Sequence, residues 1–430
     1  MSSLYQQKIT ISAGEECTLC GNCTVELQLL SGVVEVAGVL LNAKEPCTFR
    51  IARDQYYIIM YTLEGGCVVV TSDAQVEVSK AVTGMTSVVQ LCRRSLDTTP
   101  RSKVLVIGHR HSGKTLVAHT ICNLLREEAF SVEREMFPTS VFLMDLNAES
   151  NFVYAPGCVS TVLVEHVLWP HTSASPTLLP FSLFVGQAAP PGAESVASFL
   201  WFVEQLHDCT QALLDSTKTE RIHLIIDAPS PPEGIKEGIY FRRLVELLQP
   251  SHVVMVSDPN GSDAWSNALH EDLERLHPGC EVSYAPPVAK RCRSSLCNQR
   301  LREYFGGKPQ APLGCAKAAL PLTQLQFVQY VMTEGEVSCR KVVPSAELAG
   351  CICALSHAEV IEEVPLAPIL GLLVLLSVDE EEDEVIVIVP TSEALPHRFL
   401  IIPSEEFVSS PHCALRSLEA VAHAEEAVAI

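Results

Sequence analysis

The sequence predicts an α/β protein. A mostly parallel central sheet is flanked by an N-terminal β-sandwich and a small C-terminal α+β domain. Three observations predict it. Residues 1–92 are short strand-like runs separated by turn signals. Residues 93–306 alternate helical segments with apolar strands that each end in an acid. Residues 307–430 return to strands and close on an Ala/Glu-rich run.

In the first region the strand-like runs are Thr24–Leu30, Val33–Leu41, Cys47–Ile51, Tyr56–Thr62 and Gly66–Thr71. Gly21-Asn22, Ser31-Gly32, Ala43–Pro46 and Gly65-Gly66 punctuate them, a spacing of about ten residues that suits a small sandwich. Cys17, Cys20 and Cys23 form C-x-x-C-x-x-C, which reads as a zinc or iron–sulfur site or as strand cysteines on either side of a hairpin turn at Gly21-Asn22. No fourth cysteine follows at a suitable spacing, which favours the hairpin. Arg93–Arg101 is polar, contains a proline and reads as a linker.

The second region opens on the most informative stretch of the chain. Val104–Ile107 is a β-branched strand; Gly108-His109-Arg110-His111-Ser112-Gly113-Lys114-Thr115 fits G-x-x-x-x-G-K-[ST]; Leu116, Val117, Thr120, Ile121, Leu124 and Leu125 then follow at helical spacing. Strand, glycine-bounded loop and helix are the context in which such a loop turns its N–H groups toward phosphate oxygens. Gly108, His111, Ser112, Gly113 and Leu116 would line the nucleotide, Lys114 would reach the β- and γ-phosphates, and Thr115 would hold Mg²⁺. The central domain is therefore expected to be a P-loop NTPase-type fold that binds a nucleoside triphosphate.

Val141–Leu146, Ile222–Ile226 and Val253–Val256 read as further strands, ending near Asp145, Asp227 and Asp258. An acid at such a strand end lies where Mg²⁺ sits beside a P-loop. Each is equally a turn or helix cap, and at most one or two of the three are expected to be functional. Lys290–Arg302 is the densest basic run. It reads as a lid whose arginines meet phosphate or as a solvated helix face.

In the third region Leu370–Val378, Val385–Val389 and Leu395–Pro403 read as strands, with Asp379–Glu384 as a solvated acidic hairpin tip and Ser417–Val428 as a helix. The formal net charge of −21 over 430 residues argues against a general electrostatic grip on nucleic acid, so any RNA site must be a local basic patch. Seventeen cysteines without a signal-peptide pattern read as reduced thiols of a nuclear or cytosolic protein. The longest apolar stretch, Val364–Val378, is too short and too proline-interrupted to span a bilayer, so no membrane association is expected.

Five segments in order resemble one family, the polyribonucleotide 5′-hydroxyl-kinase family that supplies a subunit of the mRNA cleavage and polyadenylation factor. They are Glu26–Leu41, the P-loop, Met144–Ser160, Arg300–Gly307 (RLREYFGG) and Ser377–Ile402. The resemblance implies an N-terminal sandwich, a central kinase domain, a small C-terminal domain and a nuclear location. In active members ATP gives its γ-phosphate to an RNA 5′-hydroxyl; members also sit in the cleavage complex, held by its scaffold subunit, and some serve tRNA splicing.

The family's ATP contacts fall on His111–Leu116, on Glu16 near the adenine and on Tyr57, which stands where the family has a lysine. The phosphoryl-transfer positions are mostly replaced. The family's second strand-end acid, its base, falls on Asn147, a neutral amide. Asp145 survives two residues earlier and would hold Mg²⁺ or substitute as base. The glutamine beside that acid becomes Ser150, the phosphate-clasping threonine becomes Pro190, and the RNA-stacking tryptophan falls at Gly234. One lid arginine falls on Arg293; the other falls on Val288, with Lys290 and Arg291 close by. The pattern predicts an ATP-binding subunit of the 3′-end machinery whose nucleotide is structural and whose kinase activity is lost. The alternative is an active RNA 5′-kinase with Asp145 as base and Arg293 in the lid.

Overall fold

The computed structural model describes residues 4–51, 58–81, 84–96, 99–126, 139–169, 180–186, 196–232, 234–257, 264–285, 287, 296–308, 311–312, 315–390 and 399–403. Tyr57, Pro190, Asp258, Val288, Lys290, Arg291, Arg293 and the predicted helix at 417–428 lie outside them.

Alternation builds the N-terminal sandwich. In Cys23–Gly32 the side chains of Cys23, Val25 and Leu27 are buried, while Glu26 faces solvent. One sheet runs in the order Tyr5–Ile11, Gly66–Ser72, Cys23–Gly32, Cys47–Ile51. The other runs Val39–Leu40, Glu35–Val36, Ile58–Tyr61, Glu16–Cys20, Glu77–Ala81. The expected single strand at 33–41 is instead a tight hairpin, because Ala37 (φ 50°) and Gly38 (φ 81°) both turn left-handed. Nor do Cys17 and Cys23 flank a hairpin. Their strands belong to opposite sheets, and Gly21-Asn22 carries the chain across. Both thiols lie in the sandwich core, where burial raises the pKa of Cys17 to about 11.

The stretch read as a linker is packed structure. Helix Met85–Leu91 and the wider turn Cys92–Leu96 bury Met85, Val88, Val89, Cys92 and Leu96 against Val104, Val117 and Ile121. A purely polar-content reading of RRSLDTTPR missed Leu96, which is fully buried.

The central sheet runs Phe181–Phe184, Cys158–Leu163, Thr139–Asp145, Arg221–Asp227, Arg101–Gly108, His252–Val256, Glu281–Ala285. The last five are parallel; Cys158–Leu163 runs against them, and Phe181–Phe184 pairs antiparallel with it at the edge. Both faces are covered. Leu105 and Ile107 pack with helices Val196–Ser216 and Glu237–Leu248, and Val104 and Val106 pack with helix Lys114–Arg126. This explains why Val104–Ile107 is continuously apolar. Helix Leu296–Gly306 then carries Leu301 and Phe305 into the core of a seven-stranded C-terminal sheet. That sheet contains Ile369–Asp379, Glu384–Val389 and Phe399–Ile401 at the three predicted places. No helix among the described residues is long and apolar enough to cross a membrane.

Candidate nucleotide site

Strand Arg101–Gly108 ends in the middle of the sheet, and the chain turns at once into helix Lys114–Arg126. Gly108 is needed for close approach: a Cβ there would lie 2.8 Å from both Ser112 Oγ and the Val256 carbonyl. The loop then uses two left-handed residues, His111 (φ 65°) and Gly113 (φ 100°). Leu116 lies against both the sandwich core and the central core.

The loop's charges are placed by neighbouring elements. Lys114 is buried, and its Nζ donates to the His109 carbonyl (2.8 Å) and to Ser230 Oγ (3.2 Å). Thr115 Oγ1 donates to Asp227 Oδ2 at 2.6 Å. Arg110 pairs with Glu149. His109 Nε2 accepts the Trp265 indole N–H at 2.7 Å.

Strands Thr139–Asp145 and Arg221–Asp227 are parallel neighbours, with Asp145 directly beside Asp227. Same-register residues project to the same face, so two buried carboxylates share one site. Burial and the charge of Asp227 push Asp145 up to about 7. A hydroxyl and two carboxylates are hard oxygen donors, and a divalent cation would relieve the repulsion. The donor set therefore fits Mg²⁺. The sequence pointed to Asp145 as the Mg²⁺ acid beside Thr115; the acid that meets Thr115 is Asp227, another of the three strand-end acids. Register decides it.

The acceptor side is different. Asn147 Nδ2 donates to Ser150 Oγ at 2.9 Å. Asp145 Oδ1 accepts the Asn147 N–H (3.0 Å), and Oδ2 accepts the Phe152 N–H (2.6 Å). The carboxylate thus organises its own loop. Gly234 sits before helix Glu237–Leu248 with φ 83°, and a Cβ there would meet open space. Glu16 lies in the sandwich, and its Oε1 accepts both the N–H and the hydroxyl of Thr86, each at 3.0 Å. It therefore meets the first turn of helix Met85–Leu91.

Helix Lys114–Arg126 also joins the flanking domains. Asn123 Nδ2 donates to the carbonyls of Ala37 (2.7 Å) and Leu168 (3.1 Å), and its Oδ1 accepts the Leu168 N–H (2.9 Å). Gly38 lets the hairpin sit here, since a Cβ would be 2.7 Å from the Thr120 carbonyl. One turn back, His119 packs edge-on against Phe152, and the Arg300 guanidinium lies over the Phe152 ring, 4.9 Å from its centroid. Burial, then Arg300, lowers His119 to about 3, so its imidazole is neutral. Asn123 and His119 lie outside the phosphate-loop motif, and the Met144–Ser160 segment that contains Phe152 carries no sign of its contact with His119.

Residues 108–307 match the family model for the P-loop of the mRNA cleavage and polyadenylation factor CLP1, and residues 308–408 match the model for the pre-mRNA cleavage complex II protein Clp1. The chain belongs to the CLP1 family. A CLP1 homolog from Nematostella vectensis is 23% identical over 430 residues, covering 88% of this chain and 91% of that protein. One from Drosophila ananassae is 24% identical over 415 residues, covering 89% and 91%. Among solved structures, Clp1p in its complex with Pcf11p superposes with a TM-score of 0.70 at 18% identity, covering 93% of this chain and 97% of that one. A second, described as an extended Pcf11p–Clp1p interface with the structural basis for ATP loss in a glycine-to-arginine mutant, gives 0.71 at 18% identity, covering 93% and 98%. The CLP1 fold therefore extends over nearly the whole chain, sandwich included, although the family models begin at Gly108.

Proposed function

We propose that this chain is a nucleotide-binding subunit of the mRNA 3′-end cleavage and polyadenylation machinery, in which ATP is held as a structural element and RNA 5′-kinase activity is lost. One observation carries the reading. The phosphate loop has Lys114 and the Thr115–Asp227 pair in place, while the acceptor side offers Asn147, bonded to Ser150, where a base would stand. Losing a general base costs about 10²–10⁴-fold.

Thr115 and Asp227 would hold Mg²⁺, with Asp145 adding negative charge beside them. Bound Mg²⁺ would supply neutralisation of the phosphate oxygens. The chain's own residues supply the rest: loop amides and Lys114 bind the phosphates, and the helix beginning at Lys114 transmits the bound state to its neighbours. At a ligand excess of about a thousand over Kd, binding stabilises the native state by about 4 kcal/mol. Asn123 would pass that to the sandwich, and the His119–Phe152–Arg300 stack to the C-terminal domain. The partner is read as the scaffold subunit of the cleavage factor, which fits the Pcf11p complex of the similar Clp1p, and the location as nuclear. Contact with RNA would fall to the basic stretch around Arg293.

The runner-up reading is an active kinase. One arrangement favours it: Asp145 lies buried beside Asp227 at the end of the neighbouring strand, and burial with that second charge raises its pKa toward the range of a general base. The test is phosphate transfer from ATP to a short 5′-hydroxyl RNA. The structural reading expects none above background in the wild type. Transfer that disappears in Asp145→Asn supports the kinase instead.

A further inference from the structure

We propose that Trp265 is a positioning residue for the nucleotide loop, acting through His109 to set how firmly the site retains its ligand. The inference rests on the nucleotide-binding reading above. His109 has two jobs. Its backbone carbonyl accepts Lys114 Nζ at 2.8 Å and the Ser112 N–H at 3.2 Å, so it defines the loop's inner curve. Its ring is anchored from outside, with Nε2 2.7 Å from Trp265 Nε1. Indole N–H is a donor only, so Nε2 is the acceptor and the ring hydrogen resides on Nδ1. The contact therefore selects one tautomer and one ring orientation. The rings also meet edge-on, with centroids 5.4 Å apart and planes at 86°.

Trp265 is itself fixed. It lies in helix Ala264–Leu276, with its ring 5.0 Å from the ring of fully buried Phe241 in helix Glu237–Leu248. Arg242 of the one helix pairs with Asp272 of the other, tying them together, and Arg275 holds Asp272 from one turn away in its own helix. A helix pair outside the phosphate loop thus reaches in through one indole and holds the residue whose carbonyl receives the loop lysine. Without the indole contact the His109 ring no longer pins its own backbone, the carbonyl is held less firmly, and the loop would exchange its ligand faster.

The experiment is the dissociation rate of a fluorescent ATP analogue from the full chain with Mg²⁺. It compares wild type, Trp265→Phe, His109→Leu and His109→Gln. Trp265→Phe keeps an aromatic ring against Phe241 and His109 and removes only the N–H. His109→Gln returns an acceptor near the place of Nε2. Losing one hydrogen bond at a loop that contacts the ligand predicts dissociation about 5- to 10-fold faster in Trp265→Phe and His109→Leu. His109→Gln should recover to within about twofold of wild type. Rescue separates positioning from simple packing, because leucine fills space better than glutamine. Equal rates in all four proteins overturn the proposal while leaving nucleotide binding intact. Dissociation that is equally faster in both His109 variants, without rescue, also overturns it. Wild type that binds no analogue at all overturns both this proposal and the reading beneath it. Melting curves of the ligand-free proteins identify any variant that fails to fold, and the Trp265→Phe result then decides alone.

Discussion

The two sides of the cleft above the central sheet stand on the same strands but carry different equipment. On the nucleotide side, Gly108 is packed to the limit, Lys114 has two acceptors, and Thr115 meets a buried carboxylate. On the acceptor side, Asn147 and Ser150 satisfy each other, and Asp145 spends both oxygens on its own loop. Gly234, where an aromatic platform would stand, has a left-handed backbone that a tryptophan adopts poorly. A fold can keep a ligand site intact while the chemistry beside it lapses, because the two depend on different side chains. The nucleotide side also has structural work to do, since its helix carries Asn123 and His119 to the neighbouring domains.

Lys114→Ala attacks the intact side and should have the largest effect. It removes the buried cation of the loop and should weaken nucleotide binding by about 100-fold or more, measured by calorimetry. Unchanged affinity would erase the contrast between the two sides.

Asn123→Ala tests whether the nucleotide helix joins the domains. Three buried hydrogen bonds lose their partner, so stability should fall by about 2–3 kcal/mol, read from denaturant unfolding. Hydrogen exchange should rise first at the 36–39 hairpin and around Leu168.

His119 gives a smaller, pH-dependent effect. Its folded pKa of about 3 is below the unfolded value of about 6.5, so the native state binds fewer protons. Its contribution is fully present above about pH 6.5 and is lost as pH falls toward 3. The slope is at most about 1.4 kcal/mol per pH unit. His119→Gln should flatten the stability profile between pH 6.5 and 5 relative to wild type, and an unchanged slope would remove His119 from the account.

Asn147→Asp attacks the lapsed side, and the smallest effect is expected there. Restoring one carboxylate leaves Ser150 and Gly234 as they are, so transfer to 5′-hydroxyl RNA should stay at background. A gain of about tenfold or more would mean that a single residue separates this chain from a kinase.

How much of this was legible beforehand follows from where the physics is local. The phosphate loop is contiguous, and its glycines, lysine and threonine can be read in one line. The alternating and continuous apolar strands marked the three regions in order, and the resemblance tied them to one family. Register and inter-element contacts are not local. The choice of Asp227 for Thr115 depends on which strands neighbour the P-loop strand. The His109–Trp265 and His119–Phe152 contacts join residues far apart in sequence with no motif between them. The Ala37-Gly38 hairpin was hidden because VVEVAGVL is apolar apart from Glu35, and hydropathy does not register a left-handed pair. Leu96 was lost in the same way, as one apolar residue within a polar run.

The central claim is a bound, unspent nucleotide, and the direct measurement is the nucleotide content of the purified protein. The protein is denatured, and the supernatant is chromatographed and quantified against protein. The account predicts intact ATP at close to one per chain, absent from Lys114→Ala. ADP in its place, or an empty site that turns over added ATP once RNA is present, would contradict it.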